Sequence, residues 1–355
     1  MTKLQMRAGH RSRLNRCLCS IFCWSLMVGF AVAQSSSLSD QQTRQPAWGT
    51  REAPGATDLR FATSAGSVEA AAVSAGSQFG SGGVGLRNRG AGSIAVSGVV
   101  LPVQAAYIYW AVITKGAVTT ANKSIMLQRL FPTPASAVTT ITGTNVGSGA
   151  SPCWMQGNTI TVFRGTVPTT VATGNGVYQV TLLKGASGST TGGDPWVGTQ
   201  KVPLMEGASL VIIGTGSATQ RVAIYDVGLS GQTFDGNTGI SYSLTLPIAA
   251  TGKLTLFESI GADGQQGVSR LAVESGADET TVINGVNIAG PGSNFNDSDW
   301  NGSSARPLPQ LWDDVGHDIT AATPKGTTTL DVSISNGGGT PPDCMTPVAN
   351  VVQVQ

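Results

Sequence analysis

Thr329-Leu330-Asp331-Val332-Ser333-Ile334 places an apolar side chain at every second residue. A period of two is that of a β-strand with one dry and one wet face. Lys253-Leu254-Thr255-Leu256 repeats the pattern. By contrast, Tyr107-Ile108-Tyr109-Trp110 and Leu210-Val211-Ile212-Ile213 are apolar without a break and read as central strands packed on both faces, with Trp110 in the core. Further short runs rich in Val, Ile, Thr and aromatics lie at 159–163, 177–183, 222–225, 241–246 and 348–354, separated by Gly, Asn, Ser and Pro. Many short strands with turn chemistry between them predict an all-β sandwich. No segment sustains a 3.6-residue apolar period, so helices are expected to be few and short.

A faint internal repeat runs through these strands. Gly165-Thr166-Val167 followed by Tyr178-Gln179-Val180-Thr181-Leu182 is echoed by Asp318-Ile319-Thr320 followed by Leu330-Asp331-Val332-Ser333-Ile334. An aromatic strand precedes each copy (107–110, then 254–257) and an aliphatic strand follows it (210–213, then 348–354). Two related, jelly-roll-like β-sandwiches are therefore expected, at 58–203 and 204–355. One irregular sandwich is the competing reading.

The N-terminus has a different character. Lys3, Arg7, Arg11, Arg13 and Arg16 precede an apolar run from Cys17 to Phe30 and then Ala31-Val32-Ala33. That order is a secretory signal with cleavage before Gln34. The run of roughly 14 residues falls short of the about 20 that a membrane-spanning helix needs. Residues 34–57 are polar, with Ser35-Ser36-Ser37 and two prolines, and read as a flexible leader. Removing residues 1–33 takes five positive charges and no acid, moving the net charge from +1 to −4. Such a chain has no basic surface for nucleic acid. Signal removal would leave Cys153 and Cys344 as the two cysteines in an oxidising compartment, where a disulfide between them is expected and two separate buried thiols are the alternative.

Several segments resemble a known type. Ala105-Ala106-Tyr107-Ile108-Tyr109-Trp110-Ala111, Gly174-Asn175-Gly176-Val177-Tyr178-Gln179-Val180, Gly207 to Ile213 with Arg221 to Asp226, and Asp343 to Val352 are similar to the uncharacterised exported bacterial β-proteins of the DUF3344-like type. The resemblance covers about residues 90 to 355 and rests on strand cores and turns. It implies export and a secreted or surface module, and it names no site residue.

Candidate chemistry is sparse. A triad needs a base, and beyond the signal the sequence holds one histidine, His317, in Asp313-Asp314-Val315-Gly316-His317-Asp318, which reads as a solvated acidic turn. No Gly-x-Ser-x-Gly elbow stands between a strand and a helix. The acids Glu206, Glu258, Asp263, Glu274, Asp278 and Glu279 could supply a glycosidase pair only if the fold brought two together. Asn294, Asn296, Asp297 and Asp299 have spacing that suits a calcium loop, although the same residues bond their own backbone in ordinary turns. Trp154, Trp196, Trp300 and Trp312 sit in loop-like settings and could stack on sugars or plug the ends of sandwiches.

An outer-membrane barrel is disfavoured, because its strands would be longer and girdled by aromatics. The expectation is a secreted or cell-surface protein without catalytic activity, structural or adhesive, whose partners are extracellular proteins or glycans. A carbohydrate-binding module, with calcium as a structural aid, is the second reading, and a hydrolase of unfamiliar type is the third.

Overall fold

In the computed structural model, residues 60–61, 65–151, 155, 157–192, 201–230, 238–262, 279–290, 300, 311–336 and 345–355 are described. They form twenty strands in four sheets, numbered along the chain, with two short 3-10 turns at Val227–Ser230 and Thr320–Ala322. Sheet one orders β5 (Ala91–Val96), β11 (Gly176–Leu182), β7 (Ser124–Phe131) and β8 (Thr139–Thr142). Sheet two orders β4 (Ser77–Gly85), β12 (Leu204–Thr215), β6 (Val103–Thr114), β10 (Thr159–Thr166) and β9 (Thr144–Ala150). Sheet three orders β18 (Trp312–Asp318), β15 (Thr255–Ala262), β20 (Thr346–Val354), β13 (Arg221–Tyr225) and β3 (Ala72–Ala75). Sheet four orders β1 (Arg60–Phe61), β14 (Thr238–Thr245), β19 (Thr329–Asn336), β16 (Glu279–Ile283) and β17 (Val286–Ala289), with β2 (Ala65–Val68) also on β14.

The pairing is nested and it is duplicated. In the first copy β4 pairs β12, β5 pairs β11, β6 pairs β10 and β7 pairs β8, all antiparallel. Numbered from one to eight, these strands lie as 1-8-3-6 and 2-7-4-5, the wrap of an eight-stranded jelly roll. The second copy repeats it with β13 on β20, β14 on β19, β15 on β18 and β16 on β17. The aromatic strands 107–110 and 254–257 overlap β6 and β15, third in each copy, and the aliphatic runs are β12 and β20, eighth in each.

The joint between the copies lies in 216–220, between β12 and β13. The expected boundary at 203/204 falls instead at the start of β12, which closes the first jelly roll by pairing with both β4 and β6. A strand that returns to pair with the first one looks, in sequence alone, like the opening of something new.

The four sheets stack, and three apolar layers separate them. Ile108, Trp110, Val112, Leu210 and Ile212 point into the layer with Ile94, Leu127 and Val180 of sheet one. Their neighbours Tyr109, Ala111, Ile113, Val211 and Ile213 point the other way, onto Val222, Ile260 and Val351 of sheet three. Phe257, Val352 and Val354 then face Leu244, Leu330 and Val332 of sheet four. Sheets two and three are thus dry on both faces, which is why their central strands lack alternation, while outer β19 keeps Leu330, Val332 and Ile334 buried and Asp331 exposed. Trp110 stacks on Phe163 with ring centroids 5.5 Å apart and donates its Nε1 hydrogen to the Asn122 carbonyl at 2.9 Å, so its polar end is satisfied inside the core.

Strands β1 to β3 precede the first jelly roll but belong to the sheets of the second: β3 pairs β13, and β1 and β2 pair β14. The chain crosses from sheet three to sheet two at Gly76 and back at 216–220. The two crossings are tied together, since Gly76 N–H donates to the Gln220 carbonyl at 2.9 Å and Gly216 N–H to the Gly76 carbonyl at 2.8 Å. No helix among the described residues is long and apolar enough to cross a membrane.

Candidate functional site

The polar groups with the most unusual surroundings lie in the seam where sheet two faces sheet three. Each jelly roll presents its 1-8-3-6 sheet to the other, so strand six of one copy meets strand one of its neighbour near the rim. At one rim the meeting is made by charge. Arg164 on β10 donates through Nη1 to Asp226 Oδ2 at 2.6 Å, just beyond the end of β13, and Tyr109 on β6 donates its hydroxyl to Asp226 Oδ1 at 2.7 Å. Burial lifts the Asp226 carboxyl against the pull of Tyr109 and Arg164, while an ion pair at this distance favours its charged form. Burial, followed by Asp226, holds the Tyr109 hydroxyl well above the usual tyrosine range, so it stays a donor.

The other rim, where β18 meets β4, is built from acids and hydroxyls. Glu258 on β15 stands opposite Gly316 of β18, and Asp314 opposite Ile260, so both carboxyls share the face turned to sheet two. The polar side chains that act on Asp314 are Glu258, Ser209 on β12 and Ser81 on β4. Trp312 donates its Nε1 hydrogen to Ser209 Oγ at 2.9 Å, continuing the chain of bonds. Glycines make the space: a Cβ on Gly83 would sit 2.9 Å from the Asp314 Cβ, and one on Gly316 would strike the Glu258 carboxylate. Burial pushes the Asp314 carboxyl up, and the bonds from Glu258, Ser209 and Ser81 pull it partly back.

A third buried charge closes the first jelly roll. Glu206 is the extra residue of a β-bulge on β12 between Met205 and Gly207, and its Oε2 lies 2.6 Å from Arg87 Nε, both side chains fully buried. Burial lifts Glu206 to about 7 against the pull of Arg87. A lone acid inside the apolar run Leu204-Met205-Glu206-Gly207-Ala208 was the readable signal for a buried partner, and the partner itself was not readable.

Of the four loop tryptophans singled out by sequence, Trp300 and Trp312 are described, and neither presents a ring face to solvent. Trp312 is fully buried in the layer between sheets two and three, and Trp300 is 1% exposed in a small cluster with Ile240, Ile334 and Met345. For these two the sugar-stacking expectation gives way to the plugging one, because close-packed sheets leave their rings no free face. His317 also differs from expectation: 312–318 is a strand rather than a turn, and His317 is buried opposite Phe257. Trp154, Trp196, Cys153, Cys344, Asn294, Asn296, Asp297 and Asp299 lie outside the described residues, as do Asp263, Glu274 and Asp278. Among the described residues no group of three or more His, Cys, Asp or Glu side chains is placed to hold a metal ion. A shallow hollow of about 520 Å³ beside Asn284, Val286 and Pro324 is lined by amide, hydroxyl and aliphatic groups.

One end of the first jelly roll is apolar and open. Val100, Leu101, Phe131 and Val138 are each more than half exposed. The first three gather around Gly174-Asn175-Gly176: Asn175 accepts from Val99 N–H at 2.7 Å and donates to the Val99 carbonyl at 3.0 Å, Leu101 packs over Gly174, and Phe131 pairs with Val177. Segments 97–104, 130–138, 166–177 and 213–220 contain no charged residue of their own, and the Arg129 guanidinium donates into two of them, to Thr173 Oγ1 at 2.7 Å and to the Pro134 carbonyl at 2.9 Å.

An all-β protein of two stacked jelly rolls is therefore the class that fold and seam define. No protein-family model matches the chain, and no curated protein sequence matches it.

Proposed function

We propose that the chain is an exported bacterial surface or secreted module, of the type its strand motifs resemble, that acts by binding in a structural or adhesive role rather than by catalysis. The observation that supports this most directly is the group of exposed apolar side chains Val100, Leu101, Phe131 and Val138 on a layered β scaffold, with Arg129 as the cation among them. Grouped exposed apolar side chains of this size on a β-framework are features of contact surfaces. Export is supported by the basic and apolar pattern of the first 33 residues.

The test is binding of the purified full chain to cells of the producing organism, compared with a Leu101→Ser, Phe131→Ser double variant. Both side chains are largely solvent-exposed, so the variant keeps its melting temperature within a few degrees. Loss of cell binding in that variant supports an adhesive apolar tip, and undiminished binding removes it. Saturable polysaccharide binding that survives the double substitution would move the conclusion to the carbohydrate-binding reading.

A further inference from the structure

The duplication places equivalent loops of both jelly rolls at one end of the molecule. In the first copy β5–β6, β7–β8 and β10–β11 turn there, and in the second β14–β15, β16–β17 and β18–β19. Hydrogen bonds join the two sets across the crossing at 216–220: Thr215 N–H donates to the Val100 carbonyl at 2.9 Å, Gln355 Nε2 to Thr219 Oγ1 at 3.1 Å, and Thr251 N–H to the Gln355 carbonyl at 2.8 Å. Segments 97–104, 130–138, 166–177, 213–220, 246–254, 284–285 and 319–328 make up this end, and none of the 20 acids of the sequence falls in them. Their charges are Lys253 and Lys325, both exposed and on loops in contact, since a Cβ on Gly252 would lie 3.1 Å from the Lys325 nitrogen. Arg129 and Arg221 stand at the edges of these loops and donate into them. Glu69, Asp318 and Asp331 adjoin the end from its strands, where they accept from Thr245, Thr320 and Ser243.

The exposed side chains of Val100, Leu101 and Phe131 project from loops whose backbone is bonded from within. Both the N–H and the carbonyl of Val99 are taken by the Asn175 amide. The carbonyls of Pro102, Pro134, Ser136 and Gly174 accept from Thr215, Arg129, Gln128 and Tyr178 side chains. Pro102, Pro132 and Pro134 have no N–H to satisfy. A backbone that does not call on water is what immersion in lipid requires, and apolar tips beside cations, on loops without acids, complement the boundary of an anionic bilayer. A protein or glycan, recognised in part by hydrogen bonds, would meet groups here that are already engaged. Resting on the reading of the apolar tip as a contact surface, we propose that this end docks on an anionic phospholipid bilayer, with Val100, Leu101 and Phe131 entering the headgroup–acyl boundary and Lys253 and Lys325 meeting headgroup phosphates.

Co-sedimentation of the full chain with unilamellar vesicles of phosphatidylcholine, alone or with about a third phosphatidylglycerol, tests this. The mixed vesicles should bind it more tightly, and added salt should narrow the difference. Leu101→Ser with Phe131→Ser should weaken partition to both kinds of vesicle by about tenfold or more, because two large side chains no longer enter lipid. Lys253→Gln with Lys325→Gln should remove the preference for phosphatidylglycerol and leave the basal partition. If the apolar variant does not fold, amide exchange of the unaltered chain supplies the answer: vesicles should add protection in 97–104 and 130–138 and none in β18. No vesicle binding, together with cell binding that still needs Leu101 and Phe131, would overturn the bilayer and keep the adhesive tip for a protein or glycan. Vesicle binding untouched by both double variants, as the apolar N-terminal run would give, would overturn the face itself. Failure of tip-dependent binding to vesicles and cells alike would remove the contact surface altogether.

Discussion

The indole of Trp312 lies against the backbone of Gly207, so closely that a Cβ on that glycine would come within 2.4 Å of the ring atoms. The contact joins β18 of the second jelly roll to β12 of the first, one residue beyond the bulge that carries Glu206. Gly207→Ala must push the ring or bend β12. It is expected to cost about 1–3 kcal/mol, the range for overpacked cores, with the loss read from chemical denaturation.

The Arg87–Glu206 pair makes a sharper prediction. Arg87→Ala leaves a fully buried carboxyl without its cation and should cost about 3–5 kcal/mol. Arg87→Met with Glu206→Leu removes both charges and should recover most of that loss. Denaturant midpoints of the single and double variants check both statements.

Glu206 also predicts a pH dependence. Its carboxyl rises to about 7 in the folded chain against 4.5 for an ordinary glutamate. Between those values the folded state binds more protons than the unfolded one, so stability is greatest near pH 4.5 and falls toward pH 7. Glu206→Gln should flatten that part of the melting-temperature profile, measured in matched ionic strength.

Tyr109→Phe isolates the charged rim. Removing the hydroxyl deletes one bond to Asp226 and leaves the Arg164 ion pair in place, so a loss of about 1–2 kcal/mol is expected. Asp226→Ala should cost more, since it strands both Tyr109 and Arg164. A thermal-denaturation series of the two variants gives the order.

How much of this was readable before the fold was known depends on which force decided each element. Tyr107 to Trp110 and Leu210 to Ile213 announced two-sided burial, because only a strand between two layers tolerates unbroken apolar sequence. The pairing of an aromatic strand with a later aliphatic one announced the duplication. Segment 312–318 did not read as a strand, since Asp313, Asp314, Gly316 and Asp318 are poor strand formers by themselves. Cross-sheet hydroxyls and the Trp312 contact hold it extended, which is tertiary context overriding local preference. The carboxyl pair was unreadable for the same reason: Glu258 was noted as one acid among several, and only the register of β15 on β18 brings Asp314 to it.

The route of the chain through Gly76 has a consequence for how the molecule comes into being. Strands β1 to β3 are made first, but their partners β13 and β14 lie beyond the entire first jelly roll. Until those arrive, residues 60–75 have no sheet to join, and the face of sheet two bearing Tyr109, Ala111, Ile113, Val211 and Ile213 stays bare. Non-local pairing of this kind slows folding and lengthens the time for which sticky surface is open to other chains. A chain cut at the joint in 216–220 would hold every strand of one jelly roll and still lack what covers its back, so its expected fate is aggregation rather than life as a free half.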